Sequence, residues 1–444
     1  MVTRFYVYWE SVRTSYWFVP GLMVALSTAL APATVELDRL ALARIDRDSP
    51  WWIYTGGPEG ARAVLATVAG SMITVAVTVF SITIVALSLA SAQFGPRLLR
   101  NFIRDRSNQV VLGAFVSTFT YCLLVLRTVR ERDGVQFVPG IGVAVGIALA
   151  LVSLGVLIYF IHHVAVSIQA DHVILSVSQE LHEAIDRLWP AAASRGKNEA
   201  ETDEQSLLPA DFEERSVPIK AEACGYLAAI DDAGLLAVAA EQDLLIRALH
   251  RPGQFVVSGE ALTRVLSPRP LDESNVDAIR GAFLIESQRT PFQDVEFAVD
   301  QLVEVAVRAL SPGVNDPFTA IACVDRLGEA LCRLAQRATP SPICYDESNH
   351  LRVVLYPAAF GAVADAAFNQ IRQYGRSSAA VMIRLLETLT VIADRAHRQH
   401  DLRALERHSQ LVFEAANRGL PDEADRQDAA ERYQAINQLL ESKR

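Results

Sequence analysis

Four long stretches of this chain hold no Asp, Glu, Lys or Arg between their ends: roughly Tyr16–Val35, Arg62–Ser91, Gln109–Leu126 and Pro139–Ile161. An ionised side chain in hydrocarbon costs several kcal/mol, and about 20 apolar residues in a helix cross the roughly 30 Å core of a bilayer. The pattern predicts a membrane protein, mainly α, with four transmembrane helices inside residues 1–164 and the lipid bilayer as its first partner. Arg4, Arg13 and the small-residue site Ala29-Leu30-Ala31 have the outline of a secretory signal. Pro32 follows directly and three further spans come after it, so the first helix is read as uncleaved.

Charge divides the chain at the same place. Residues 1–170 carry 13 arginines and 9 acids, whereas residues 171–444 carry 28 basic and 42 acidic residues. A C-terminal surface with fourteen more acids than bases repels phosphate backbones, which argues against a nucleic-acid partner. Arginines near the spans do not fix the orientation. Arg4, Arg13, Arg97, Arg100, Arg104 and Arg106 fall on one side; Arg39, Arg44, Arg47, Arg62, Arg130 and Arg132 fall on the other, with Arg127 at a span end. Two observations break the tie. The large tail, with free Cys224, Cys323, Cys332 and Cys344, suits a reducing cytoplasm, and Pro50-Trp51-Trp52-Ile53-Tyr54 suits an outer interfacial belt. Cys323 and Cys332, about 13.5 Å apart along one helix, cannot bridge each other. The expected localisation is the cell inner membrane with both termini cytoplasmic.

The second stretch, about 30 residues, is longer than a bilayer core requires, so it is expected to tilt or project. Along it Thr67, Ser71, Thr74, Thr78, Ser81 and Ser88 recur on one helical face, with Val85 filling the gap. Hydroxyls can bond back to carbonyls of their own helix, so lipid tolerates such a stripe. It reads either as close helix packing through small residues or as the wall of a pore built around a symmetry axis. The pore-lining candidates are Ser71, Thr74, Thr78, Ser81 and Ser88. After Gln93-Phe94-Gly95-Pro96, a segment with Leu98, Leu99, Phe102 and Ile103 on one face and Arg97, Arg100, Arg104 and Arg106 around it predicts a helix lying at the membrane interface. Gly142, Gly146 and Ala150 mark a packing face on the fourth span.

Beyond the membrane, residues 165–190 predict a helical stalk. Ala170, Ile174, Val177, Leu181, Ala184 and Leu188 occupy heptad positions, which would permit self-association. His162, His163, His172 and His182 have no metal-ligand spacing and are expected on polar helix surface. Residues 191–217, with seven acids against three bases, read as a flexible linker. A small α/β domain is expected over 218–270, with strands at Gly225–Asp231, Asp243–Leu249, Gln254–Ser258 and Glu260–Leu266 and a helix at Ala233–Gln242. The run Pro252–Leu262 is similar to hairpins of lipoyl-type barrel-sandwich folds, but no lysine stands there, so no cofactor is assigned. An ordinary hairpin is expected.

Residues 271–444 are expected to be mainly helical. Thr290-Pro291-Phe292-Gln293 predicts a helix start, with Thr290 as N-cap, Pro291 in the first position and Gln293 placed for a capping box. Phe292, Val295, Val299, Leu302, Ala306 and Leu310 would face inward, leaving Glu296, Asp300 and Glu304 on a solvated face with a Glu304–Arg308 pair. At Ser311-Pro312-Gly313-Val314-Asn315-Asp316-Pro317 one helix ends and another begins, with Asp316 as cap and Pro317 where a missing N–H costs nothing. Asn315 and Asp316 at that N-terminus can alternatively hold a ligand. Arg289, Thr290, Asp294, Asn315 and Asp316 are the candidate site residues of this region.

These motifs carry a resemblance. Arg308–Ala320, Ser287-Gln288-Arg289-Thr290, Ser88–Arg97 and Tyr159-Phe160-Ile161-His162-His163 resemble an uncharacterised bacterial predicted-membrane-protein family, domain of unknown function 2254. The resemblance covers nearly the whole chain, weakens after about residue 400, and brings no catalytic residues with it.

Enzyme chemistry finds no support in the residues: there is no phosphate loop ending in Lys-Ser or Lys-Thr, no nucleophile elbow and no metalloprotease helix. His397, His400 and Asp401 with Asp394 form the one metal-like cluster and are expected to be solvated, so no metal is assigned. Ion-coupled transport normally needs ionisable groups within the spans. Two readings follow. One is a homo-oligomeric channel-like protein with a cytoplasmic regulatory region; the other is a membrane-anchored sensor or scaffold whose soluble region binds a ligand or protein.

Overall fold

A backbone in hydrocarbon must satisfy its own N–H and C=O groups, so long apolar runs become helices. The computed structural model describes residues 17–42, 54–95, 106–132, 135–191 and 208–444. They divide into two compact units, Met1–His172 and Val173–Arg444. Arg97, Arg100 and Arg104 lie outside the described residues, as does the tryptophan pair at 51–52.

Among the described residues, the first unit contains four helices long and apolar enough to cross a membrane. They are α1 (Phe18–Leu42), α2 (Pro58–Phe94), α3 (Arg106–Leu126) and α4 (Gly140–Ser167), with a short β1–β2 hairpin (Arg130–Arg132, Val135–Phe137) between the last two. Helix α3, bracketed by Arg106 and Arg127, has 21 residues and is about 31 Å long, the thickness of a bilayer core. Helix α2 has 37 residues and is about 55 Å long, so it outruns that core.

Small residues let the helices of this unit approach, and Tyr121, Phe115, Phe160 and Leu65 fill the space between them. Gly142 and Gly146 lie where a side chain would meet Val125, Leu65 and Cys122, as a small-residue packing face requires. Helix α2 packs through Ala61, Leu65, Ala69, Ala76 and Val79. Its hydroxyl stripe takes no part in that packing, which corrects the small-residue contact considered for it.

The first helix runs past the expected end at Val35 and carries Asp38 into the interior, 5% exposed. Helix α4 begins Pro139-Gly140 with no side-chain cap of its own. Asp38 supplies one from 103 residues away: Oδ1 accepts the Ile141 N–H at 2.8 Å and Oδ2 the Gly142 N–H at 2.9 Å. Beside it the Tyr121 hydroxyl donates to the Gly142 carbonyl at 3.1 Å and meets Thr34 at 2.9 Å.

The second unit opens with α5 (Ala170–Leu188), whose first residues precede the division. Ile174, Val177, Leu181 and Ala184 are buried. Asp186 takes Arg333 and Arg337, Arg337 donates to the Trp189 carbonyl at 2.6 Å, and His182 lies 3.9 Å from Glu329. The expected stalk is helical over Ala170–Leu188, but Ile174, Val177, Leu181 and Ala184 of its heptad stripe are buried in the single chain and so are not free for self-association. His182 is no surface residue either, and burial pushes its pKa down.

Next come α6 (Phe212–Arg215), β3 (Val217–Lys220), β4 (Gly225–Ile230), α7 (Asp232–Glu241), β5 (Leu245–Ala248), β6 (Phe255–Val256), β7 (Ala261–Leu266), α8 (Glu273–Gly281) and β8 (Phe283–Glu286). They are followed by α9 (Val295–Ala309), α10 (Pro317–Ala335), β9 (Ile343–Tyr345), β10 (Leu351–Val354), α11 (Phe360–Gly375), α12 (Ala379–Arg395), α13 (Gln399–Gly419) and α14 (Glu423–Ser442). One sheet has the order β3-β7-β5-β10-β9 and the other β6-β4-β8.

Three expectations are corrected here. The strands near 254–258 and 260–266 form no hairpin: Gly259, at φ +87°, turns the chain so that β6 joins β4 and β7 joins β3 and β5. The α/β layer does not end at 270, since β10 pairs parallel with β5 (Val353 with Ile246) and β8 pairs with β4. The end of the expected linker is folded, with Phe212 buried and Glu213 bound by Arg247 and Arg264. The helices then pack α9 on α10 and α11, α10 on α12, and α12 on α13 and α14.

Candidate functional site

The helix at 290–310 does not start where its sequence predicts. Its N-cap is Asp294, whose Oδ1 accepts the Phe297 N–H at 3.1 Å. Thr290 makes no side-chain hydrogen bond among the described residues. Gln293 closes no capping box; its Oε1 accepts the Ile230 N–H at 2.8 Å and its Nε2 donates to the Ile230 carbonyl at 3.0 Å. A side-chain amide thus occupies the position of a neighbouring strand beside the last residue of β4. Phe292, expected inside, is 49% exposed and carries the Arg187 guanidinium over its ring.

Around this cap lies an ionic network that replaces the expected solvated face. Arg289 donates Nε to Asp294 Oδ2 at 2.8 Å and Nη1 to Asp300 Oδ2 at 2.8 Å, and it lies over the Phe297 ring. Burial raises the Asp294 carboxyl, while Arg289 works to lower it. Two guanidinium nitrogens and a backbone N–H converge on its two oxygens. Only the carboxylate accepts all of them, so the pair is ionic. Burial opposes the charge on Arg289 as well, and its two carboxylates outweigh that, raising its pKa. Glu296 is bound by Arg251 at 2.7 Å, and Glu304 lies 3.6 Å from Arg308 as expected. Gly253 (φ +95°) lets the backbone pass Asp294 where a Cβ would stand 2.3 Å from Oδ2.

This network forms one wall of a cleft of about 210 Å³ between the α/β layer and the helices. Arg251, Glu296, Asp294, Gln293 and Asp232 line it on the polar side; Trp189, Ile230, Leu355 and Tyr356 line it on the apolar side. Trp189 is buried and Tyr356 is 53% exposed. A few convergent polar groups on a mostly apolar concavity is the general form of a small-molecule site. Trp189, Arg251 and Tyr356 were not legible as site residues, because they come from segments joined only in three dimensions.

Asn315 and Asp316 do not join this site: they lie at the far end of α9, about 22 Å from Asp294 along the helix axis. Asp316 caps α10, accepting the Phe318 and Thr319 N–H groups and, at 2.6 Å, the Thr319 hydroxyl, which holds its carboxyl below the ordinary range. Asn315 has φ +49°, and Val314 and Phe318 stand exposed beside it. Of the His397–Asp401 cluster, Asp394, His397 and His400 are exposed as expected, whereas Asp401 is fully buried between Arg398 at 2.7 Å and His400 at 2.9 Å.

In the membrane unit, Ser71, Thr74, Thr78, Ser81 and Ser88 all lie on an exposed face of α2. Thr74, Thr78 and Ser81 donate to the carbonyls of Gly70, Thr74 and Val77 in their own helix. Arg106 opens α3, exposed.

Four helices long and apolar enough to cross a membrane, joined to a mixed α/β and helical unit, are the marks of a membrane protein. The chain belongs to the family described as "Predicted membrane protein (DUF2254)", whose model matches residues 13–391. It is 34% identical over 423 residues to uncharacterized protein Rv1290c of Mycobacterium tuberculosis, covering 94% of this chain and 79% of that one. The same figures hold for uncharacterized protein Mb1321c of Mycobacterium bovis. No solved structure matches the chain.

Proposed function

We propose that this is a non-enzymatic, membrane-anchored binding protein of the cell inner membrane, whose C-terminal unit lies in the cytoplasm and takes a small charged molecule in the cleft beside α9. The observation that carries the reading is the cleft itself. An Arg251–Glu296 pair, each side chain about one-fifth exposed, lines a space of about 210 Å³ together with Trp189 and Tyr356. A ligand anion can draw on Arg251 and a ligand cation on Glu296, with the rings covering an apolar body.

The test is a thermal-shift screen of the full chain in detergent with nucleotides, amino acids and polyamines. A compound that raises the melting temperature of the wild type, and does so far less for Arg251→Ala and Tyr356→Ala, supports the reading. If nothing in the screen binds, or if both variants respond as the wild type does, the cleft has no such role. The cytoplasmic placement has its own check at Cys224, the exposed thiol. A membrane-impermeant maleimide is expected to label it in inverted vesicles and to leave it unlabelled in intact spheroplasts.

A second reading, a homo-oligomeric pore, keeps one observation in its favour: the Ser71-Thr74-Thr78-Ser81 face is exposed and unused by the single chain. Its other support, a self-associating stalk, falls away because the heptad stripe is buried in its own unit. A ring-shaped oligomer with ion flux in liposomes, changed by Thr78→Leu or Ser81→Leu, would place the pore first.

A further inference from the structure

One end of the membrane unit gathers the start of α1, the end of α2, the start of α3 and the end of α4. Between them lies an apolar cavity of about 280 Å³, nearly twice the roughly 150 Å³ space that holds a benzene in an apolar core. Phe80, Ile84 and Leu87 of α2 and Val164 and Ile168 at the end of α4 form its body, and Trp17 stands at its edge. The hydroxyls that touch it are already used: Thr83 donates to the Val79 carbonyl at 2.9 Å and Ser167 to the His163 carbonyl at 2.7 Å. Asn108 differs. Its side chain lines the cavity, the residue is 8% exposed, and its Oδ1 is buried with no hydrogen-bond partner among the described residues. An unmet acceptor in an apolar setting costs about 1–3 kcal/mol, so a site that keeps one is missing a donor.

Depth says where the donor comes from. The charge-free run of α3 matches the hydrocarbon thickness and is preceded directly by Arg104, Asp105 and Arg106 in the sequence, so Asn108 lies within one turn of the headgroup boundary. At that depth the molecules offering a long apolar body with a polar end are the lipids themselves. We infer that this cavity is a specific phospholipid site: an acyl chain lies between α2 and α4, and an N–H or O–H of the headgroup donates to Asn108 Oδ1. An ammonium headgroup fits best, because a charge-assisted hydrogen bond to a neutral acceptor is stronger than a neutral one. Phosphatidylcholine, whose headgroup has no N–H or O–H, cannot make this bond.

The experiment is native mass spectrometry of the full chain, released from nanodiscs of equal parts phosphatidylethanolamine and phosphatidylcholine. One retained phospholipid per chain is expected, with the ethanolamine lipid favoured several-fold. Asn108→Leu keeps the side-chain size and is expected to bring that preference to about one. Ala86→Phe, which fills the cavity from α2, is expected to abolish retention, while Leu151→Phe, on an exposed face of α4, leaves it unchanged. Retention of detergent alone, equal retention of the two lipids by the wild type, or a preference that survives Asn108→Leu would each overturn the assignment. Should Ala86→Phe fail to give monodisperse protein, the headgroup preference and its loss in Asn108→Leu decide the matter by themselves.

Discussion

Asp38 in the first unit and Asp294 in the second are both buried at the start of a helix, and the two are neutralised differently. Asp294 caps the helix that follows it and is held by Arg289, which shares its charge with Asp300. Asp38 caps a helix 103 residues away and, among the described residues, has only the Ile141 and Gly142 N–H groups on its two oxygens. Next to water an arginine brought inward by neighbouring acids can carry the compensation. Inside an apolar bundle a second ion would need its own desolvation, so the partial positive charge of a helix N-terminus does the work. The hydroxyls follow the same division: Thr74, Thr78 and Ser81 return to their own helix carbonyls, while the C-terminal unit is laced with arginine–carboxylate pairs.

The comparison can be broken by mutation. Asp294→Ala should cost the C-terminal unit about 3–5 kcal/mol, because it leaves Arg289 buried with half its compensation; denaturant titration of the purified chain measures this. Gly253→Ala should also destabilise, through strain at φ +95° and crowding of Oδ2, and should cost less in the Asp294→Ala background. Additive costs would show that Gly253 answers to the turn alone. Asp38→Ala should cost about 1–2 kcal/mol, as for loss of a cap, read as a lower melting temperature in detergent. A loss as large as that of Asp294→Ala would show that Asp38 carries more than a cap.

Acid separates the units further. Burial pushes His408 from the ordinary 6.5 down to about 4. It lies against Phe368 and 3.1 Å from Asp365 Oδ1, with Arg407 and Arg372 also raising the cost of a proton. Between pH 6.5 and 4 the unfolded chain binds a proton that the folded one refuses, so stability falls as pH falls across that window. His408→Gln is expected to flatten that slope in pH-dependent melting; an unchanged slope would assign it to other groups. The smallest effect belongs to the stripe. Thr78→Val and Ser81→Ala should change stability by less than about 0.5 kcal/mol, since each removes a donor and leaves its carbonyl partner in an intact helical bond.

The sequence made the membrane unit legible because exclusion of charge from a span leaves a mark on every residue of it. Even so it placed Asp38 outside the first helix, since nothing local says that a carboxylate at a span end will find the uncapped Pro139-Gly140 start far down the chain. In the C-terminal unit the short strands near 225–231 and 243–249 were readable by composition. Their partners were not: β10 comes from beyond three helices, α8 to α10, to lie beside β5. The cap at Asp316 was readable because Pro317 fixes the frame. At 290–294 the same logic chose Thr290-Pro291, where the fold uses Asp294, because Gln293 was drawn away to Ile230. The cleft was out of reach for a related reason: Trp189, Arg251, Glu296 and Tyr356 meet only after all the layers have packed.

The cap on α4 also has a consequence for synthesis. At roughly 5–20 residues per second, a ribosome needs about 5–20 s to travel from Asp38 to Ile141. Throughout that interval the Asp38 carboxyl lacks both of the N–H groups that hold it in the folded chain. Only when the fourth helix has been made can the first be closed off at that end, so the earliest segment waits on the latest.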